Sequence, residues 1–107
     1  MDSDLKPMQT HPKKLLVIIA EAAIEKLVAR DARRLGAHGY TVGDVRGGGE
    51  RGEREADWEG NRSVRIEVIG EPPVCEAIAE HVLAHYCPHY AVSMYLTDCA
   101  VLRPHKF

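Results

Sequence analysis

The residues best suited to hold an anion are Arg46 and the three glycines that follow it, Gly47, Gly48 and Gly49. Successive glycines place no Cβ in a ligand's way and let the backbone take positive φ, so amide hydrogens turn toward a phosphate while the guanidinium adds a fork of donors. No GK[ST] follows and no helical pattern starts there, so this is not a P-loop. An anion cradle and a flexible hinge remain the two readings. Just beyond, residues 50–59 alternate Arg with Glu and Asp around Trp58. A stretch this polar cannot bury an indole by itself. Trp58, with Arg51 and Arg54 near it, therefore either meets a partner protein or packs back on its own domain.

Two other groups could also carry chemistry. His81, His85 and His89 recur every four residues, and a pair at i and i+4 on a helix can chelate zinc. No acidic or thiol ligand is firmly placed with them, and Pro88 should end the helix before His89, so solvated or hydrogen-bonded imidazoles are the stronger reading. Arg103 in the tail can reach a phosphate at a neighbouring subunit or stand as a surface arginine. A nucleophile elbow, an HExxH motif and a catalytic carboxylate pair are all missing from the sequence, so no enzymatic activity and no metal site are expected.

These groups sit in a chain of 107 residues, enough for one domain with a two-layer core. A net charge of −2 gives no reason to expect nucleic acid. The longest apolar run, residues 15–20, is far short of the roughly 20 residues that span a bilayer. Residues 1–12 read as a disordered arm without a signal-peptide core, and residues 13–107 as the folded domain of a cytoplasmic protein. Cys75, Cys87 and Cys99 form no CxxC pair and read as reduced thiols, Cys99 as a small buried hydrophobe.

Four strands and two helices must position the loop. KLLVIIA, residues 14–20, is a β-branched run suited to a central strand. Ile24, Leu27, Val28, Ala32 and Leu35 recur at helical spacing, and Gly36 and Gly39 suit a left-handed end. Residues 40–46 give a weaker strand because of Gly43 and Asp44. In residues 63–69, Val64, Ile66 and Val68 alternate with Ser63, Arg65 and Glu67, giving a strand with one buried face. Pro72 and Pro73 open a second helix carrying Cys75, Ile78, Ala79, Val82 and Tyr86 on its apolar stripe. Residues 90–96 alternate as a fourth strand.

The order β-α-β-loop-β-α-β is the split βαβ, ferredoxin-like α+β arrangement: a four-stranded antiparallel sheet with two helices on one face. The other face should carry an apolar patch and drive oligomerisation.

Combined, these parts resemble the PII signalling superfamily, and within it the PII-like proteins associated with carboxysomes and bicarbonate transport. The resemblance runs from Lys14 to His105. It rests on the element order, on TVGDVRGGG leading into a long loop like the PII T-loop (about residues 43–60), on VRIEVIG returning from it, and on YLTDCAVLRPHKF. It implies a homotrimer binding adenine nucleotide in clefts between subunits. Val42, Gly43, Arg46, Gly47, Gly48 and Gly49 would hold phosphates, Tyr95, Leu96, Thr97 and Asp98 would line the adenine, and Leu102 and Arg103 would approach from the cleft edge.

The glycine-rich, lysine-containing turn of the nitrogen branch is replaced by Cys87-Pro88-His89, which favours ADP or AMP over ATP and argues against 2-oxoglutarate sensing. Bicarbonate is a candidate second ligand, and no cofactor is required. The paired-cysteine extension of some bicarbonate-branch relatives does not follow, so no redox-gated tail is expected. The implied function is a change in T-loop order that regulates a membrane transporter or carboxysome-related partner, through Arg51, Arg54 and Trp58. Two other readings use a similar fold: a trimeric, metal-tolerance-like protein binding divalent cations through its histidines, and an acylphosphatase-like enzyme, for which LLVIIAE lacks the required Arg and Asn.

Overall fold

The computed structural model describes residues 6–49, 52–53 and 62–107. The chain runs β1 (His11–Glu21), a 3-10 turn (Ala22–Ile24), α1 (Glu25–Arg34), β2 (Thr41–Val45), β3 (Gly48–Gly49), β4 (Gly52–Glu53), β5 (Ser63–Gly70), α2 (Pro72–His85), β6 (Val92–Val101) and a final 3-10 turn (Pro104–Lys106). Four strands form one antiparallel sheet in the order β2-β5-β1-β6, while β3 and β4 make a separate two-stranded ribbon within the long loop. This is the expected ferredoxin-like arrangement.

The core follows from the period-two pattern. Leu16 and Ile18 on β1 and Val64, Ile66 and Val68 on β5 are fully buried against Ile24, Val28 and Ala32 from the first helical segment and Cys75, Ile78 and Val82 from α2. Each large aliphatic side chain removed from water there contributes about 1.5–3 kcal/mol. Gly36 closes α1 with φ 117°, and the amide of Ala37 donates to the carbonyl of Ala32 at 3.0 Å, so the last turn's acceptors are satisfied as a left-handed cap requires. Pro72 and Pro73 occupy the first turn of α2, where their missing amide hydrogens cost nothing.

The element ends differ from the expectation in instructive ways. β1 begins at His11 rather than Lys14, and therefore contains Pro12. Between His11 and Lys13 it pairs only with β6, since pairing with β5 starts at Lys14 opposite Gly70, so a proline can sit there without breaking a second ladder. β6 runs on to Val101, well past Leu96, because β1 pairs with it from His11 to Ala20. Leu27, expected on the apolar stripe of α1, is exposed.

The uncovered sheet face is also less apolar than expected. Arg65 Nε donates to Glu67 Oε2 at 2.8 Å and Arg65 Nη1 to the Tyr95 hydroxyl at 3.3 Å. The register places Val17 opposite both Glu67 and Tyr95, and Val17 is fully buried among these polar residues. The cysteines differ from one another. Cys75 is buried, and desolvation pushes its thiol pKa up, whereas Cys99 is only half-buried and not the core hydrophobe that its neighbours suggested.

Candidate functional site

The base of the long loop is set by β2 and β5. Their register ends with Val45 opposite Ser63, so the two ends of the loop leave the sheet side by side. Asp44, Val45, Arg46, Arg62 and Ser63 line a hollow of about 310 Å³ at this point. Arg62 Nη2 donates to Asp44 Oδ1 at 2.9 Å, which neutralises the one carboxylate among the described residues lining the hollow, and the Arg46 guanidinium lines it beside this pair.

Gly43 and Gly47 contribute room. Among the described residues a Cβ added at either would meet nothing within 4 Å, so their packing does not require glycine at these positions. Neither has the positive φ that motivated the anion-cradle reading, since among the described residues Gly36 is the glycine with positive φ. Gly48 and Gly49 lie in β3, opposite Glu53 and Gly52, so part of the glycine run is an extended ribbon rather than a nest of turned amides. Trp58, Arg51 and Arg54 lie outside the described residues.

The remaining candidates lie far from that base. Tyr95, Leu96, Thr97 and Asp98 are on β6, the opposite edge of the sheet from β2. One row across the sheet reads Val42, Ile66, Ile18, Met94, and its three strand spacings amount to roughly 14 Å. Tyr95 and Leu96 are partly exposed, and Asp98 Oδ1 accepts a hydrogen bond from Lys14 Nζ at 2.6 Å, which raises the lysine pKa.

Leu102 and Arg103 follow Val101, which pairs with His11 at the start of β1, whereas Arg46 follows Val45, level with the far end of β1 near Glu21. The length of β1, roughly 33 Å, separates the two arginines along the strand direction. One copy of the chain thus does not gather the candidate residues into one pocket.

The histidines have a different use. His81 Nε2 lies 2.9 Å from Asp31 Oδ2, its ring lies against that of His85, tilted by 37° with centroids 4.3 Å apart, and the Tyr86 hydroxyl donates to the same Asp31 oxygen at 2.5 Å. Arg30 donates to the other oxygen through Nε and Nη2 at 3.1 and 3.0 Å. Asp31 is 4% exposed. Burial alone would raise its pKa, but the hydrogen bonds from Tyr86, His81 and Arg30 outweigh that and hold it at about 2. Among the described residues no group of three His, Cys, Asp or Glu is placed to hold a metal ion, so the metal-binding alternative gains no support. His89 stands in the turn after α2, as Pro88 predicts.

With this geometry in place, comparison with known proteins decides the family. The profile described as nitrogen regulatory protein P-II matches residues 13–106. The chain belongs to the P-II family. A solved PII-like signalling protein from Thermus thermophilus is 41% identical, with 94% of this chain and 99% of that one covered and a TM-score of 0.81. The fold is likewise shared with CPII, a nitrogen regulatory PII-like protein from Thiomonas intermedia, solved bound to ADP, AMP and bicarbonate, at 24% identity, TM-score 0.82 and coverage of 94% and 98%. Its apo form is similar too, at 21% identity and TM-score 0.72, with 90% and 98% covered.

As a P-II-type signalling protein the chain places its long loop at the β2–β5 end of the sheet. Sequence reasoning missed Arg62 and Ser63 at the loop base, because their place beside Asp44 and Val45 follows from strand register rather than from any motif. It also missed Asp31 and Tyr86 as partners of His81. Asp31 reads as one more charge in the run RDARR, and nothing local marks it as buried.

Proposed function

We propose that the chain is a PII-like sensor in which ADP or AMP binds between subunits of a homotrimer, with bicarbonate as a second ligand. The phosphates rest at the loop base on Val42, Gly43, Arg46, Gly47, Gly48 and Gly49. Tyr95, Leu96, Thr97 and Asp98 line the adenine, and Leu102 and Arg103 complete the cleft from a different copy. Ligand contact changes the order of residues 43–60, and through Arg51, Arg54 and Trp58 this loop of a cytoplasmic protein regulates a membrane transporter or carboxysome-related partner in inorganic carbon uptake or carboxysome function.

The observation that carries this reading is the placement of the two groups on opposite edge strands, β2 and β6, with open space over Gly43 and Gly47. A ligand touching both groups has to lie between copies. The ligands carried by CPII support the choice of nucleotide and of bicarbonate. The absence of a glycine-rich, lysine-containing turn at Cys87-Pro88-His89 favours a diphosphate or monophosphate over ATP.

Isothermal titration of the full chain with AMP, ADP and ATP, each with and without bicarbonate, tests it, with light scattering for the trimer. Saturable heat with ADP or AMP, strengthened by bicarbonate, is the expected result. No heat and no thermal shift at millimolar nucleotide under either condition would overturn the reading.

A further inference from the structure

The outward sides of α1 and α2 border a shallow, solvent-open groove of about 500 Å³ lined by Arg30, Asp31, Arg34, His81, His85 and Tyr86. It shares no residue with the loop base or with the β6 candidates. Its charge arrangement runs against local helix preference. Arg30 and Arg34 stand four apart on α1, His81 and His85 four apart on α2, and pairs of like groups at that spacing repel when charged. Among the described residues lining the groove one carboxylate, Asp31, faces Arg30, Arg34 and His81.

Asp31 does not leave the groove neutral. It is buried beneath donors on both oxygens and compensates only one of the two guanidinium charges, so the groove keeps an excess of one positive charge before any imidazole is protonated. Much donor capacity is left over. Arg30 uses two of its five N–H donors on Asp31, and Arg34 approaches that carboxylate only to 3.7 Å, beyond hydrogen-bond reach, with its side chain 57% exposed. The structure gives His85 no polar partner among the described residues, only its ring contact with His81. A staple between the helices needs only His81 and Tyr86 on Asp31, with Arg30 bonding the same carboxylate from within α1. Arg34 and His85 are surplus to it, and both face the groove.

We infer that this groove is a second, nucleotide-independent site for a small, multiply charged oxyanion of the phosphate or phosphate-ester class. Arg30, Arg34 and His85 bind the oxygens, and Asp31 is the internal counter-charge that holds the donors in position. The planar guanidinium fork suits a tetrahedral oxyanion through paired N–H donors, which a chloride ion cannot use.

The test is a titration of the full chain with inorganic phosphate at constant ionic strength set by chloride, followed by NMR of the histidine rings and the backbone amides. Saturable shifts at His85 and His81 are expected, with affinity about tenfold weaker in Arg34→Gln. The exposed Arg34 ion pair contributes little to folding, so this variant should unfold at close to the parent midpoint. His85→Gln, which removes no hydrogen bond from Asp31, should weaken phosphate by a similar factor and decides the matter if Arg34→Gln does not fold. Phosphate shifts confined to the amides of Gly43 and Gly47, shifts reproduced by chloride alone, or parent affinity in both variants would overturn the inference.

Discussion

His81 and Asp31 stand fifty residues apart in sequence, and in the fold the Nε2 of His81 lies 2.9 Å from Oδ2 of Asp31. The contact joins α2 to α1 across the outside of the sheet, and Tyr86 adds a second hydrogen bond to the same oxygen. Replacing Asp31 with Asn keeps the shape and removes the charge that organises these donors. Unfolding in urea should show a loss of about 2–4 kcal/mol, with about 1 kcal/mol for Tyr86→Phe. A double-mutant cycle between the two should be non-additive, because the positions touch.

The same carboxylate sets an acid limit to stability. Its pKa is about 2 in the folded chain against an ordinary 3.8, so the folded state binds the proton less readily than the unfolded one. The contribution, about 2 kcal/mol, is fully present above the ordinary value and is lost as pH falls from there through about 2. Tyr86 works at the other limit. Burial and the bond to Asp31 raise its pKa, so its contribution is present below the ordinary value of 10 and fades as pH climbs through the raised one. Thermal unfolding followed across pH should show the acid limb flattened in Asp31→Asn.

Gly36 should tolerate substitution poorly. Its φ of 117° is strained for any side chain, and a Cβ would sit 3.3 Å from Val74 Cγ2. Gly36→Ala should cost about 1 kcal/mol or more by chemical denaturation.

At Gly43 the opposite holds. It lies in β2 with open space above it, so Gly43→Val should leave the unfolding midpoint within about 0.5 kcal/mol of the parent, since a β-branched residue suits a strand. The same change fills the space proposed for the phosphates and should abolish nucleotide heat. Retained nucleotide affinity would remove Gly43 from the site.

Arg46→Ala should weaken nucleotide at least tenfold, by loss of a charged donor, with little change in folding. Trp58→Ala should leave that affinity intact and reduce only capture of a partner protein, a difference that titration and pull-down read separately.

Much of the fold was legible because local signals agreed with one another. The alternation of Val64, Ile66 and Val68 fixed a strand with one buried face, and Gly36 with Pro72 and Pro73 marked helix ends by backbone requirements that few residues meet. What the sequence concealed depends on distant neighbours. Asp31 is buried only because Tyr86 and His81 arrive from the other helix, and β6 extends to Val101 only because β1 starts early enough to pair with it. The candidate residues could be named from resemblance, but their location on opposite edges required the strand order β2-β5-β1-β6.

That strand order has a thermodynamic corollary. On the proposed reading, a nucleotide that touches both Arg46 and Arg103 makes no complete set of contacts on an isolated copy and would act as glue: saturating nucleotide should hold copies together, and dilution should weaken nucleotide in turn. Sensitivity to the metabolite and the integrity of the assembly would then be a single equilibrium, in which the protein's own concentration helps set the nucleotide level of the proposed response.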